Sequence, residues 1–335
     1  MEGLFKGRTI LITGGTGTIG REVARQVLEA GPAAVRIYSR DESKQFDMQQ
    51  DFSGCANLRF FIGDIRDKER LLLAMEDVDT VFHTAALKHV GACEYNPFEA
   101  VKTNIYGTQN VIDAALARNV RRVIVTSSDK AVNPVNTMGV SKLMAEKLTT
   151  AANHYKGKKR TVFASVRFGN VLGSRGSVLP LIKEQIKRGG PVTLTHPDMT
   201  RFVLSLPEAV GLLFKATALA RGGEVFVLKM PVMRVADLMH VLVENLAPAL
   251  GHDPSQIKIH VTGAKPGEKL YEELISEEER ARTLLKEDLY VVLPSTGQGT
   301  ETRGPQAVGA SLASNGVSYL SNPEIRSYLY DRNLV

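Results

Sequence analysis

Short apolar runs alternate with helical patterns over roughly the first 195 residues of the chain. The runs predicted to be strands cover 9–13, 35–39, 58–62, 80–83, 122–126 and 162–166. Their apolar residues stand at consecutive positions, which is typical of strands that helices cover on both faces of a sheet. Strands that alternate with helices in this way predict a parallel sheet. We therefore expect an α/β protein with a Rossmann-like, doubly wound parallel sheet.

The pattern changes after about residue 170. Apolar residues at helical spacing predict helices over 177–187, 206–220 and 235–250, with one strand near 192–195. A helix is also expected over 98–119, where core packing explains Gly107 better than the approach of a ligand does.

These changes divide the chain into three parts. Residues 1–170 are expected to form a nucleotide-binding domain whose sheet continues to about residue 195, and residues 171–294 a smaller substrate-binding lobe over the carboxyl edge of that sheet. Glycine and small polar residues dominate 295–313, so residues 295–335 are predicted to be a flexible arm followed by a tail. Apolar residues return over 319–330, and we expect that stretch to dock on the body of the protein or on a neighbouring subunit.

Composition argues against several classes of protein. The 42 basic and 36 acidic residues leave a net charge of +6, but the basic residues are scattered and tryptophan is absent, so no nucleic-acid platform is expected. Cys55 and Cys93 are too few for a disulfide framework, and the histidines lack the spacing of metal ligands. No signal peptide is visible, and no run reaches the roughly 18 apolar residues of a membrane span. We therefore expect a cytoplasmic protein without a metal.

A glycine-rich loop follows the first predicted strand and opens a helix. Glycines there allow a tight turn, and the free N–H groups of the helix end suit a pyrophosphate. The predicted cofactor contacts in this loop are Gly14, Thr16, Gly17, Thr18, Ile19 and Gly20.

The end of the second strand favours NADP over NAD. It carries Ser39 and Arg40, with Lys44 one helical turn further on, where an NAD enzyme usually has an acidic residue. Arginine suits a 2′-phosphate, although Arg40 stacked on the adenine is an alternative. The remaining predicted cofactor contacts are Asp64, Ile65, Ala85, Ala86, Lys88, Asn104 and Lys142.

Several motifs together resemble the UDP-N-acetylglucosamine 4,6-dehydratases of the extended short-chain dehydrogenase/reductase superfamily. They are the glycine-rich loop, Ala85-Ala86-Leu87-Lys88-His89, Ser128-Asp129-Lys130-Ala131-Val132-Asn133-Pro134, Met138-Gly139-x-x-Lys142 and Lys265-Pro266-Gly267-Glu268-Lys269. The likeness covers nearly the whole chain. It is specific, because dehydratases that act on hexoses carry Thr-Asp-Glu where this chain has Asp129-Lys130, and epimerases carry neither acid/base pair.

The resemblance implies a definite chemistry. Hydride leaves sugar C4 for NADP⁺, Lys130 removes the C5 proton that the ketone acidifies, Asp129 protonates the departing 6-hydroxyl, and hydride returns to C6. Each proton transfer contributes roughly 10²–10⁴-fold. We expect desolvation to lower the pKa of Lys130 and to keep Asp129 protonated, with the two titrating as a coupled pair. Lys142 is expected to hold the nicotinamide ribose.

Met138 departs from the superfamily pattern, because a tyrosine normally stands at this position. Methionine cannot accept the proton of the C4 hydroxyl, so Lys142 or Ser128, in either case with or without a bridging water, is predicted to take it. The residues also have plain structural explanations. Ser128-Asp129 could cap a helix, Lys130 could be a surface charge, and Met138 could be ordinary core.

The resemblance also assigns substrate contacts. It places Lys88 and His89 at the sugar, Asn170 at the diphosphate, and Arg175, Arg201 and Glu268 at the UDP portion. An arginine suits phosphate through its forked donors, although Arg201 could equally pair with a core carboxylate.

These expectations describe a homo-oligomeric UDP-N-acetylglucosamine 4,6-dehydratase, with retention at C5 weakly favoured from the stretch 267–273. Two alternatives stay open. A UDP-sugar 4-epimerase would use the same cofactor but would not need Asp129 and Lys130. A non-catalytic NADP-binding regulator would explain the missing tyrosine.

Overall fold

The computed structural model describes residues 2–295 and 312–335. Its strands are β1 Thr9–Thr13, β2 Ala34–Ser39, β3 Leu58–Ile62, β4 Thr80–His83, β5 Arg122–Ser128, β6 Val162–Phe168, β7 Asn170–Val171, β8 Val192–Leu194, β9 Thr200–Leu204, β10 Val225–Leu228, β11 Val232–Arg234, β12 Ile259–Val261, β13 Thr283–Lys286 and β14 Leu289–Val292. Its helices are α1 Glu2–Phe5, α2 Thr18–Glu29, α3 Glu42–Asp51, α4 Lys68–Ala74, α5 Val90–Tyr95, α6 Pro97–Ala100, α7 Gly107–Ala117, α8 Thr137–Tyr155, α9 Val178–Lys187, α10 Leu206–Leu219, α11 Val235–Leu246, α12 Glu277–Arg280 and α13 Asn322–Asp331.

The main sheet runs in the order β13-β14-β10-β6-β5-β4-β1-β2-β3 within the described residues. The strands from β3 to β6 are all parallel, and their order reverses between β1 and β4. Ligands of such sheets bind at the carboxyl ends of the strands beside this reversal point. The predicted Rossmann-like α/β fold is confirmed.

The sheet continues past the predicted limit near residue 195. Strand β10 pairs in parallel with β6, and the antiparallel pair β13 and β14 extends the sheet beyond it. Short apolar runs such as Val225–Leu228 do not distinguish a strand from a helical segment by periodicity. The pairing with β6 therefore became visible only once the chain was folded.

The predicted helices are present with small changes. The stretch 98–119 contains α6, a π-helical turn over Val101–Tyr106 and α7. A Cβ added at Gly107 would lie 2.6 Å from Cδ1 of Ile65, so packing explains that glycine, as predicted. Helix α11 ends at Leu246 rather than 250, because Pro248 cannot continue it and a 3₁₀ turn follows.

A second hydrophobic core lies in the carboxyl-terminal half of the chain. Helices α9, α11 and α13 contribute to it, and α13 buries Ile325, Tyr328 and Leu329 there. The tail therefore docks on the body of its own chain, one of the two docking sites expected. Most of the predicted flexible arm, residues 296–311, lies outside the described residues.

Residues 2–295 and 312–335 contain neither a helix that could span a membrane nor a cluster of side chains that could bind a metal. None of the helices there is long and apolar enough to cross a membrane. No cluster of three or more histidine, cysteine, aspartate or glutamate side chains in the same residues could hold a metal ion.

Candidate active site

The glycine-rich loop joins β1 to α2 at the carboxyl edge of the sheet. Gly14 has a φ of +68°, and a Cβ there would lie 2.7 Å from the backbone of Ala85. A Cβ at Gly20 would lie 2.6 Å from the carbonyl oxygen of Gly14. Gly17 is the N-cap of α2, and no described side chain caps that helix. The free N–H groups and the close backbone approach fit the pyrophosphate of a dinucleotide.

The end of β2 holds polar side chains that are already partly bonded. The Ser39 hydroxyl accepts hydrogen bonds from Thr16 at 3.2 Å and from Gln45 at 3.1 Å. Arg40 is more than half exposed, with a nitrogen 3.5 Å from a carboxylate oxygen of Asp64. Ser39 thus contacts the glycine-rich loop through Thr16, and Arg40 and Asp64 lie next to each other at the ends of β2 and β3.

Asp41 and Lys44 bind each other at the start of α3. Asp41 accepts a hydrogen bond from the backbone N–H of Lys44 at 3.0 Å and forms an ion pair with its ammonium. Hydrogen bonds from the Lys44 side chain and backbone lower the pKa of Asp41. Asp41 is thereby held as a helix cap, not as a free carboxylate for a ribose.

Asp64 and Ile65 follow β3, as predicted, but both have partners within the protein. Burial raises the pKa of Asp64, but hydrogen bonds from Arg66 and the charges of Arg66 and Arg40 outweigh it and leave that pKa lowered. The side chain of Ile65 is buried in a hydrophobic core. Their contacts with a cofactor stay predictions.

The loop after β4 passes close to the glycine-rich loop and is fixed by Asn104. The Asn104 amide accepts from the backbone N–H of Leu87 at 2.8 Å and donates to its carbonyl at 3.0 Å. Lys88 donates to the carbonyl of Arg175 at 2.6 Å, and the Arg175 N–H donates to the Thr18 hydroxyl at 3.1 Å. The structure therefore brings Lys88 and Arg175 together at the start of α2, while Asn104 acts as an anchor for the loop.

His89 and Lys88 face the loop before α9. A Cβ at Gly176 would lie 2.7 Å from Cε1 of the His89 ring, so the ring lies directly against that loop. Burial and the nearby charge of Arg175 lower the pKa of Lys88. Lys88 and His89 thus both lie against residues 175–176, which contact the start of α2 through Thr18.

Strand β5 extends to Ser128, and Asp129 and Lys130 lie in a 3₁₀ turn rather than at a strand end. The Ser128 hydroxyl accepts from the N–H of Lys130 at 3.2 Å and caps the turn. A Cβ at Gly139 would overlap the carbonyl oxygen of Lys130, so the turn packs directly on the first turn of α8. The Ser128 hydroxyl and the close approach of Gly139 together hold this turn in place.

A buried acid/base cluster surrounds the Lys130 ammonium. Its nitrogen lies 3.0 Å from an oxygen of Asp129, 3.1 Å from an oxygen of Glu272 and 3.4 Å from the amide oxygen of Asn170. The Ser128 hydroxyl donates to the same Asp129 oxygen at 2.9 Å. The Asp129 side chain is fully buried, and the second oxygen of both Asp129 and Glu272 is buried without a partner among the described residues.

The expected lowering of the Lys130 pKa is wrong for this arrangement. Burial lowers it, but the charges of Asp129 and Glu272 outweigh burial and leave the pKa raised. The sequence did not reveal that a second carboxylate, Glu272, lies beside Lys130 in addition to Asp129. Burial and the charge of Asp129 in turn raise the pKa of Glu272. Buried carboxylates that share one cation cannot all keep their ordinary pKa values.

Helix α8 places Met138 and Lys142 one turn apart. Met138 is buried in an apolar cluster with Cys93 and Ala100. The Lys142 ammonium donates to the carbonyl of Thr126 at 2.9 Å, at the end of β5. Burial, opposed in part by the charge of Glu146, lowers the pKa of Lys142 to about 8. Lys142 is thus a buried amine whose pKa lies below that of an ordinary lysine.

The stretch 265–270 covers the acid/base turn from the other side. Lys269 donates to the carbonyl of Val132 at 2.9 Å, and Asn136 donates to the carbonyl of Gly267 at 2.8 Å. The Glu268 side chain accepts only from the nearby N–H of Lys265, at 3.2 Å, among the hydrogen bonds described for it. The structure therefore places Glu268 beside the turn.

Arg201 points its guanidinium at the backbone of the same stretch. It donates to the carbonyls of Thr200, Lys269 and Leu270 at 2.7, 2.8 and 3.2 Å. These partners are not the core carboxylate considered as an alternative. The positive charge of Arg201 acts to lower the pKa of both Lys130 and Glu272, so Arg201 borders the acid/base cluster.

Sequence reasoning missed Glu272 and a buried ion cluster behind the site. Arg167 on β6 bonds both Glu146 and Glu279 within 2.9 Å. Glu272 lies in a stretch singled out beforehand, but nothing in its spacing separates it from Glu273. No sequence signal marks Glu146 as buried, since Lys147 follows it directly and Lys142 stands four residues before it.

The strand order, the glycine-rich loop and the Met138 to Lys142 helix define an extended short-chain dehydrogenase/reductase, in which a nicotinamide dinucleotide binds at the carboxyl edge of the sheet. Residues 10–294 match the family described as "Polysaccharide biosynthesis protein". The chain belongs to this family.

Its relatives include sugar-nucleotide enzymes of two kinds. It is 56% identical over 294 residues to an uncharacterized membrane protein of Methanocaldococcus jannaschii, covering 88% of each chain. It is 46% identical over 295 residues to an inverting UDP-N-acetylglucosamine 4,6-dehydratase of Campylobacter jejuni, covering 87% of this chain and 84% of the relative. It is 43% identical over 301 residues to a UDP-glucose 4-epimerase of Rickettsia canadensis, covering 88% and 85%.

A solved structure matches the whole fold. The X-ray structure of Pen from Bacillus thuringiensis superimposes with a TM-score of 0.93 at 44% identity, covering 99% of this chain and 100% of Pen. The Campylobacter and Rickettsia relatives support an enzyme of the sugar-nucleotide dehydratase and epimerase type.

Proposed function

We propose that the protein is an NADP-dependent UDP-N-acetylglucosamine 4,6-dehydratase that makes a 4-keto-6-deoxy sugar nucleotide. The observation that carries the proposal is the buried acid/base cluster of Asp129, Lys130 and Glu272 at the carboxyl edge of β5. Elimination of water needs an acid for the leaving hydroxyl and a base for the C5 proton. A 4-epimerase needs neither group, and keeping the carboxylates of Asp129 and Glu272 buried would only destabilise it.

A bound nicotinamide dinucleotide would accept hydride from C4 and return it to C6. Asp129 donates the proton that leaves with the 6-hydroxyl as water, and Lys130 takes the C5 proton and gives one back. Both groups lie on one rigid turn, since Ser128 and Gly139 fix it. Lys88, His89, Asn170, Arg175, Arg201 and Glu268 are proposed to hold the UDP-sugar.

Lys142 is proposed to take the C4 hydroxyl proton that a tyrosine takes in other members of the superfamily. Its pKa of about 8 leaves part of the amine unprotonated at neutral pH. Ser128 is the weaker candidate because its hydroxyl already donates to Asp129. Lys142→Ala is expected to slow C4 oxidation about 100-fold in a stopped-flow absorbance assay. Lys147→Ala, an exposed lysine on the same helix, is the control, and an unchanged rate for Lys142→Ala excludes Lys142.

NADP is the proposed cofactor. Asp41 is engaged by Lys44 and the start of α3, so the strand end offers Ser39 and the exposed Arg40 to the ribose. A serine hydroxyl and a guanidinium suit a 2′-phosphate, whereas a free carboxylate would repel it. Comparison of NADP and NAD affinities by calorimetry tests the choice.

Incubation with UDP-N-acetylglucosamine tests the function directly. Loss of one water mass in the product, followed by mass spectrometry, is the expected result. An unchanged mass with an inverted C4 would instead establish a 4-epimerase, which the name of the Rickettsia relative favours. No conversion by NADP-bound protein would contradict both and point to a regulator.

The proposed function also leaves the configuration at C5 of the product to be specified. We propose retention, which requires Lys130 to return the proton to the face it came from. The Campylobacter relative is named as an inverting enzyme, which argues for the opposite result. The H4–H5 coupling in the proton NMR spectrum of the reduced product decides between them.

We also propose a homo-oligomer that forms through the helices beside the site. Large apolar side chains are exposed there, with Tyr95, Phe98 and Tyr106 between 58% and 87% accessible. Association would bury them. Analytical ultracentrifugation tests this, and a monomer at micromolar concentration would contradict it.

A further inference from the structure

Glu272 enters the acid/base cluster from a part of the chain far from Lys130 in sequence. Its Oε1 lies 3.1 Å from the Lys130 nitrogen, and the carboxylate is 2% exposed. Its Oε2 is buried without a partner among the described residues. A buried carboxylate with one oxygen that lacks a hydrogen bond lowers the stability of the folded protein, so the position of Glu272 requires an explanation beyond packing.

The backbone around Glu272 holds the carboxylate in place. The Glu272 N–H donates to the Ser314 hydroxyl at 3.0 Å, and the Ser314 N–H donates to the Glu272 carbonyl at 2.8 Å. The Ser314 and Thr200 hydroxyls are 2.7 Å apart. Glu272 is therefore fixed by β9 and by the chain that returns after residue 311.

The neighbouring glutamate provides an internal comparison. Glu273 turns to the outside and accepts from the amide of Asn133 at 2.8 Å, in an exposed contact. Only Glu272 of the pair faces Lys130. The two residues share their backbone environment and differ in what their carboxylates touch.

We infer that Glu272 is a positioning residue of the acid/base cluster: the counterion that holds the Lys130 amine toward the substrate and stabilises the ammonium formed when Lys130 takes the C5 proton. This inference rests on the proposed function. A carboxylate plays the same part beside the histidine of a serine protease, where it stabilises the imidazolium that forms. Here the charge developing on Lys130 is matched at 3.1 Å in a buried site.

Proton balance also involves Asp129. Transfer of one proton from Lys130 to Asp129 across 3.0 Å makes Lys130 a neutral base and Asp129 an acid in one step. Lys130 then takes the C5 proton while the C6–O bond breaks, and the Asp129 proton leaves with the hydroxyl as water. Lys130 returns its proton to C5, and Asp129 recovers one from solvent.

The charged and polar groups that face Lys130 are Asp129 on its own turn, Asn170 on β7, Arg201 on β9 and Glu272. Asp129 and Glu272 raise the Lys130 pKa, whereas Arg201 and burial lower it. Removing the charge of Glu272 should therefore lower the pKa of Lys130.

The test compares Glu272→Gln, Glu272→Asp and the control Glu273→Gln. NMR of the enzyme with isotope-labelled lysine, assigned by means of Lys130→Ala, measures the Lys130 titration. C4 oxidation is followed by the absorbance of the reduced cofactor, and C5 exchange by deuterium incorporation. For Glu272→Gln we expect a lowered Lys130 pKa, C5 exchange slowed about 100-fold and C4 oxidation within about twofold of the wild type. Glu272→Asp should recover part of the exchange rate, and Glu273→Gln should match the wild type.

Two results would overturn the inference. One is a Lys130 titration that is unchanged in Glu272→Gln. The other is an equal fall in C4 oxidation and C5 exchange, which would indicate a merely structural role. If the wild-type enzyme releases no water from UDP-N-acetylglucosamine, the proposed function fails and the C5 part of the inference with it, whereas an unchanged Lys130 titration in Glu272→Gln overturns the inference alone.

Discussion

Two buried clusters in this protein have the same charges but opposite properties. In the Lys130 cluster an ammonium lies between Asp129 and Glu272, and in the Arg167 cluster a guanidinium lies between Glu146 and Glu279. Both are on or beside central strands of the sheet, and the carboxylates of both are buried, although the Lys130 side chain is 21% exposed and that of Arg167 only 1%. Their hydrogen bonding is what separates them.

The Arg167 cluster is completely bonded. All five N–H groups of the guanidinium donate, to Glu146, to Glu279 and to the carbonyl of Leu274 at 3.1 Å. Burial raises the pKa of Glu279, but Arg167 outweighs it and lowers that pKa to about 2. The planar fork of arginine matches two carboxylates at once.

Among the residues that the structure describes, the second oxygens of Asp129 and Glu272 have no hydrogen-bond partner, and burial together with the charge of Asp129 raises the pKa of Glu272. Lysine offers a single point charge, so it does not satisfy both carboxylates fully. The comparison shows how one arrangement of charges is fully hydrogen-bonded in one place and incompletely hydrogen-bonded in the other. Incomplete hydrogen bonding marks the cluster that is available for chemistry.

The largest expected effect comes from removing the acid of the Lys130 cluster. Asp129→Asn should slow dehydration by roughly 10²–10⁴-fold, because the amide cannot protonate the leaving hydroxyl. Turnover is measured by mass spectrometry, with Asp113→Asn on the surface as the control. Turnover within about threefold of the wild type would contradict the assignment of Asp129.

Breaking the Arg167 cluster should affect stability instead. Arg167→Met leaves two buried carboxylates unpaired and is expected to lower the free energy of unfolding by about 3–5 kcal/mol. Urea unfolding followed by circular dichroism measures the change. The exposed Arg326→Met should cost no more than about 1 kcal/mol. Equal losses in the two variants would show that the cluster is not a support.

Acid should weaken the Arg167 cluster in a defined pH window. The Glu279 pKa is lowered in the folded protein, so its contribution is complete above the unfolded value near 4.5 and is lost as pH falls toward about 2. We expect a loss on the order of 2 kcal/mol across this window in urea titrations. Glu279→Gln should show a shallower pH dependence there, and an identical slope in both proteins would contradict the prediction.

The smallest expected effect lies at the cofactor end, away from both clusters. Arg40→Ser should weaken NADP binding about tenfold, on the order of 1.4 kcal/mol, and leave NAD binding unchanged, because only NADP carries a 2′-phosphate. Calorimetric titration measures both, with Arg25→Ser on α2 as the control. Equal weakening of NADP and NAD would indicate that Arg40 stacks on the adenine.

The sequence by itself determined the Rossmann-like sheet from β1 to β6, the glycine-rich loop and the positions of Asp129, Lys130 and Lys142. Local patterns carry this information, because strand periodicity, glycine spacing and one helical turn all involve residues close together in the chain. The turn geometry at Asp129 was decided by the Ser128 hydroxyl and by contact with Gly139, which a strand pattern does not reveal.

Only the tertiary structure decided which charges meet in the interior. The partners of Lys130 and Arg167 come from Glu272 and Glu279, residues on segments distant in sequence, and β10, β13 and β14 join the main sheet in the same way. This contributed to the wrong prediction for the pKa of Lys130, since Glu272, which no local pattern places beside it, adds to the raising effect of Asp129. Electrostatic interactions act through space and are strongest where the fold excludes water.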